Sequence, residues 1–180
     1  MSRLILALLA LAIGSVALRS APLRIDQERS RLWAEVKATG HSFEAEVTEF
    51  SADIEVAADG SIDAARVTFA PGAIKTGNDR RDREMREWLE SETYPEIEFK
   101  LREVRREGER SVGVGELTLH GVTKELELPF VLEMKGEQAT LSGSATLNTT
   151  DFGLEVISML FFKVKPELSI EFTLVGELAK

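Results

Sequence analysis

Leu126-Glu127-Leu128-Pro129-Phe130-Val131-Leu132-Glu133-Met134 is the stretch that decides the fold. Leu126, Leu128, Phe130, Leu132 and Met134 fall two apart, so in an extended chain they share one face, and this is the period of a half-buried β-strand. Pro129 lacks an N–H, so it belongs at a bulge or an unpaired stretch of that strand. The same alternation spreads in both directions. Beyond the Lys135-Gly136 turn come Leu141, Ala145 and Leu147. Before the turn His120-Gly121-Val122-Thr123 come Val112 and Val114, then Leu117 and Leu119; that change of parity near Gly115 predicts a bulge.

Further strands are read at Leu32, Ala34 and Val36; at Phe50, Ile54 and Val56; at Val67 and Phe69; at Ile97, Phe99 and Leu101; and at Leu168, Ile170, Phe172 and Leu174. The total is about eight, separated by turns such as Asp59-Gly60 and Glu107-Gly108. One face of each is apolar and the other charged. Long antiparallel strands of this number close into a barrel, which also removes exposed edges; a two-sheet sandwich is the competing architecture. Asn78–Glu90 carries the single helical pattern, with Met85, Trp88 and Leu89 on one side, Asn78 or Asp79 as cap, and Pro95 beyond its end. Its other face is charged, with four arginines at 80, 81, 83 and 86, which fits a solvated helix closing the barrel or a contact with an anionic head group.

Composition excludes several functions. Of 180 residues 43% are hydrophobic and 29% charged, enough for one packed domain. Lys and Arg number 22 against 31 Asp and Glu, and a net charge of −9 repels a nucleic-acid backbone. The chain has no cysteine and two histidines, His41 and His120, so disulfides, thiol nucleophiles and Cys- or His-rich metal sites are out.

Met1-Ser2-Arg3 followed by an apolar run from Leu4 to Leu18 reads as a secretory leader, shorter than the ~20 residues of a membrane span. Cleavage after Ala17 follows from the small residues Ser15 and Ala17; cleavage after Ala21 is the alternative. The expected organisation is therefore a leader at 1–17 and one domain at 18–180, periplasmic or secreted.

Catalytic chemistry finds little purchase. His120 lies in a hairpin turn and His41 in the loop Thr39-Gly40-His41-Ser42, and neither has a partner at a spacing that demands catalysis. No phosphate-binding glycine loop is present. More telling is the apolar excess from Phe152 to Val164, which has no clean period: it reads either as a buried connector, such as a short helix plugging the barrel, or as a wall or gate of an apolar cavity. Small inward residues, among them Ala34, Gly143 and Ala145, leave the room for one.

Four fragments together resemble the YceI family. They are Thr76-Gly77-Asn78-Asp79-Arg80-Arg81-Asp82 with Tyr94-Pro95-Glu96-Ile97-Glu98-Phe99-Lys100, Gly115-Glu116-Leu117-Thr118-Leu119-His120-Gly121-Val122-Thr123-Lys124, and Asn148-Thr149-Thr150-Asp151-Phe152-Gly153-Leu154. The resemblance implies an exported, lipocalin-like antiparallel β-barrel that holds a polyisoprenoid such as an isoprenoid quinone or a prenyl phosphate, with no catalytic residue; neither a metal nor a cofactor is expected. After Leu154 the chain departs from the family's commoner pattern, a longer and more polar glycine-rich stretch.

Strand parity places Val67, Phe69, Phe99, Leu101, Leu119, Phe130, Leu147 and Phe172 inside as the expected ligand-binding set; Phe152, at the start of the apolar segment, is added to it, and Asn78, Arg81, Asn148 and Asp151 are assigned to a polar head at the mouth. A lipid carrier, monomeric or dimeric, is the reading; a filled barrel serving as an interaction or stress protein, or an enzyme using His120 or His41, are the alternatives.

Overall fold

The computed structural model describes residues 20–108, 110–159 and 162–179. The leader read at residues 1–17 lies outside them. Twelve strands are described: β1 (Ala21–Ile25), β2 (Arg31–Ala38), β3 (His41–Val47), β4 (Ser51–Val56), β5 (Ile62–Phe69), β6 (Ile74–Lys75), β7 (Ile97–Glu107), β8 (Arg110–Leu119), β9 (Val122–Lys135), β10 (Gln138–Asn148), β11 (Ser158–Met159) and β12 (Phe162–Leu178). One α-helix, α1 (Asp79–Trp88), sits between β6 and β7.

Pairing closes a ring. The order β1-β4-β5-β7-β8-β9-β10-β12 returns to β1 through Leu23–Leu178, so eight antiparallel strands make a barrel. The long β12 also pairs with β2, which leads to β3 and β6. Short interruptions at 26–30, 48–50 and 70–73 separate β1 from β2, β3 from β4 and β5 from β6. These breaks are stitched together: Gln27 Nε2 donates to the Phe50 carbonyl at 3.0 Å, and the Thr48 N–H to the Ala73 carbonyl at 2.9 Å. Asp26, Ser30, Thr48 and Ala73 keep their backbone N–H groups paired within these breaks.

The interior holds two clusters. Leu23, Ile54, Val56, Ile62, Phe130, Ala139, Leu141 and Leu174 pack one half. Leu89, Ile97, Leu117, Leu119, Leu147, Phe152 and Leu154 pack the half nearer α1.

The expected parity change on β8 is corrected. Phe130, Leu128 and Leu126 pair with Ser111, Gly113 and Gly115, and directly opposed residues share a face, so the inward set of β8 runs unbroken to Leu117 and Leu119. Val112 and Val114 point outward. They are nonetheless only 4% exposed. Val114 is flanked across the strands by Glu103 and Glu127, both of which pair with Arg105, the cross-strand neighbour of Val112. The bulge is real but lies on β7, where Arg102 is the extra residue between Leu101–Gly115 and Glu103–Val114.

Two further expectations change. His41 opens β3, paired with Ala38 across the Thr39-Gly40 turn, rather than lying in a loop. The described residues after Leu154 form no helix: β11 pairs back on the start of β12, with the Val164 N–H on the Ile157 carbonyl at 2.9 Å. Leu160 and Phe161 lie outside the described residues. Pro129 behaves as its chemistry requires, since the β9–β10 ladder stops at Phe130–Gly143 immediately beside it.

Candidate functional site

Helix α1 starts where it does because Asn78 Oδ1 accepts the N–H groups of Arg80 and Arg81, both at 3.1 Å. One turn on, Asp82 is 4% exposed and accepts the Thr76 N–H at 2.9 Å and the Thr76 hydroxyl at 2.6 Å. Burial disfavours its charge, but the two hydrogen bonds from Thr76 outweigh it and hold the carboxyl below the usual carboxylate range. Arg81 Nε donates to the same hydroxyl at 3.1 Å, and its guanidinium lies over the Phe43 ring at 3.9 Å. The helix is thus clamped on to β3. Its apolar side, Met85, Trp88 and Leu89, faces the barrel. Trp88 Nε1 donates to the Glu155 carbonyl at 2.8 Å and ties α1 to the segment before β11.

A second clamp closes the β8–β9 end. His120 and Gly121 have φ of 51° and 70°, the two positive values that a two-residue type I′ hairpin requires. The turn aims the His120 ring at the chain after β10. A carbonyl can only accept, so Nδ1–H donates to the Phe152 oxygen at 3.2 Å, while Nε2 lies 3.1 Å from Glu90 Oε1. Tyr94 packs against the ring edge at 4.5 Å between centroids. A Cβ on Gly121 would lie 2.5 Å from the Tyr94 ring.

Between these clamps and the far cluster lies a cavity of about 720 Å³. Its walls are almost wholly apolar: Leu32, Val36, Phe43 and Ala45 on β2 and β3, Val67 and Phe69 on β5, Phe99 on β7, Leu117 and Leu119 on β8, Leu147 on β10, and Leu168, Ile170 and Phe172 on β12. Met85 and Trp88 line it from α1 and Leu89 from the helix's C-cap, with Val156 and Ile157 from the segment before β11 and Val164 from β12. Polar residues come in with Arg81, Glu84, His41, Thr149, Glu155, Lys165 and Glu171. A mostly apolar space with few polar groups is what a small-molecule pocket looks like, and about 300–1,000 Å³ is the usual size.

Of the residues read as ligand-binding from the sequence, Val67, Phe69, Phe99, Leu119, Leu147, Phe172 and Arg81 line this cavity. Leu101 and Phe130 sit with the far cluster instead. Phe152 packs under the cap beside Leu89 and Leu147. Asn78 caps α1, Asn148 caps the 3₁₀ turn Thr149–Phe152, and Asp151 is exposed within that turn. Gly143 does not face the space directly, because the Phe172 ring covers it: a Cβ there would lie 2.8 Å from Phe172 Cζ. Sequence reading missed β3, although Phe43, Ala45 and Val47 alternate with Glu44 and Glu46 and are the signal for it. Among the described residues no three His, Asp or Glu side chains gather as a metal site, and no helix is long and apolar enough to cross a membrane.

Residues 23–176 match the sequence profile of the YceI-like domain. The chain belongs to the YceI family. Curated relatives include a UPF0312 protein of Photorhabdus laumondii, 33% identical over 97 residues, and one of Pseudomonas aeruginosa, 32% identical over 104 residues. The alignments take in 49% and 53% of this chain and 50% and 54% of theirs, so the chain spans about half the length of the curated relatives it matches. Among solved structures, BcnA of Burkholderia cenocepacia superposes with a TM-score of 0.75 at 20% identity, over 84% of this chain and 99% of its own. A domain of Saccharophagus degradans described as polyisoprenoid-binding gives 0.69 at 16%, over 89% and 100%. These likenesses show a shared fold. In this YceI chain the motifs that resemble the family's are mostly structural: Asn78 caps α1 and Asn148 a 3₁₀ turn, Thr76 and Asp82 lock α1, and Tyr94, His120 and Phe152 meet in one cap.

Proposed function

We propose that this YceI-family chain is an exported carrier that shelters the apolar chain of a polyisoprenoid, such as an isoprenoid quinone or a prenyl phosphate, inside its barrel. The observation that carries the reading is the apolar cavity of about 720 Å³ lined in part by α1 and the segment that leads into β12. The description of the Saccharophagus degradans domain as polyisoprenoid-binding supports it. Each buried CH₂ contributes about 0.8 kcal/mol, so a prenyl chain gains affinity with every unit enclosed. Ordering the chain and losing its translational freedom offset several kcal/mol of that gain. A polar head needs only a few partners at the mouth, where Arg81 and Lys165 are the cationic candidates.

In this reading His120 is a strut of the cap and the protein works by holding and releasing lipid, without turnover. Residues 1–17 direct it out of the cytoplasm. A cut after Ala17 leaves β1 whole, whereas a cut after Ala21 removes a residue that pairs with Val56. The expected form is a monomer or a weak dimer.

Mass spectrometry of an organic-solvent extract from protein purified without detergent tests the proposal. A prenyl lipid near one equivalent per chain is the expected result. A folded protein whose extract is empty, and which takes up no added prenol, would overturn it.

A further inference from the structure

The cavity ends abruptly. Leu32, Ile54, Ala65, Leu141 and Phe172 belong both to its lining and to the far core cluster, so they are its floor. Beneath them Phe130 (9% exposed), Val56, Ile62 and Leu174 fill the barrel. The floor is also thin at one point. The β5–β7 ladder stops at Arg66–Lys100, although β4–β5 continues to Val56–Ile62 and β7–β8 to Glu107–Arg110. In the gap lies a second space of about 450 Å³, which shares Ile54 and Ala65 with the first. Phe172 reaches the floor because Gly143, its cross-strand partner, has no side chain and lets the ring lie against the wall.

From this floor we infer that the protein selects its ligand by chain length, with Phe172 and Ala65 as the residues that set the limit. The inference rests on the proposed sheltering of a prenyl chain. At the density of a protein interior a five-carbon unit takes up roughly 120 Å³, so the space above the floor holds about six units. Longer chains gain no further contact, because the extra units remain at the mouth. Shorter chains leave the floor unfilled.

All-trans prenols of three to ten units, delivered from methyl-β-cyclodextrin, provide the test. The protein-bound fraction is read by extraction for the parent and for Phe172→Ala, and their ratio at each length removes the carrier's own preference. Expected is a ratio at or below one up to five units and about tenfold above one at eight, as two or more apolar carbons find new cover. Ala65→Leu, which thickens the partition and removes no core contact, should move the parent's limit down by about one unit; it carries the test if Phe172→Ala does not fold. Prenol uptake with a ratio that does not change with length in Phe172→Ala, or an unmoved limit in Ala65→Leu, overturns the inference while leaving the carrier reading intact. Uptake of no prenol by any of the three proteins overturns both.

Discussion

His120 Nδ1 lies 3.2 Å from the carbonyl oxygen of Phe152, and that contact joins the β8–β9 turn to the turn after β10 across 32 residues. The two turns flank the place where β9 and β10 part company above Pro129, so the histidine closes an opening that no ladder bond spans. Tyr94 and Glu90, from the segment after α1, complete the cap.

Replacing Gly121 by Ala should destabilise this cap by about 1–3 kcal/mol. The position combines a positive φ with a Cβ that would collide with Tyr94, and each mechanism alone costs on the order of 1 kcal/mol. Chemical denaturation measures it. His120→Ala should cost about 1–2 kcal/mol through the lost hydrogen bond to Phe152 and leave the cavity's lining intact. Lipid content that collapses in folded His120→Ala would show a direct role in binding.

Asp82 makes the stability of α1 depend on pH. Its folded pKa is lowered, so its contribution is present above the unfolded value near 4 and is lost as pH falls through the folded value. Asp82→Asn should cost about 1.5–3 kcal/mol at neutral pH, the range for hydrogen bonds to a charged group. Its stability should also fall less than the parent's on acidification. Denaturation midpoints from pH 7 down to pH 3 check both points; parallel curves for the two proteins would contradict the assignment.

Trp88 does two things, packing under the barrel mouth and donating to the Glu155 carbonyl at 2.8 Å. Trp88→Phe keeps most of the apolar surface and loses the donor, so it should cost about 1 kcal/mol. Trp88→Ala removes both and should cost about 3–5 kcal/mol. Equal losses for the two variants would show that the hydrogen bond, and not the packing, holds α1 on the barrel.

Much of this arrangement is legible in the residues. Strands β9, β10 and β12 show clean alternation because one face meets the interior and the other meets water. The capping of α1 by Asn78 also follows from residue chemistry alone. Val112 and Val114 obscure the parity of β8 because they are 4% exposed on an outer face, beside Arg105 and its partners Glu103 and Glu127, and give that face the composition of an inner one. Strand β3 was legible too, since Phe43, Ala45 and Val47 alternate with Glu44 and Glu46, which meet Arg31 on the neighbouring strand at 2.7 and 3.0 Å. The floor of the cavity could not be read at all. It depends on which side chains from five strands stop at the same depth, and strand register is not written in any one of them.

Leu147 is 8% exposed, lines the cavity from β10 and pairs with Leu168 across the wall. Leu147→Trp enlarges an apolar side chain into that space without adding charge, at a cost of about 1–3 kcal/mol from overpacking. Titration of the delipidated parent and of this variant with a six-unit prenol, with bound lipid read by extraction, is the most direct test of the carrier account. The account predicts saturable uptake by the parent, near one equivalent, and at least about a tenfold loss in the folded variant. Equal uptake by the two folded proteins would contradict it, because the chain would then lie somewhere other than the barrel.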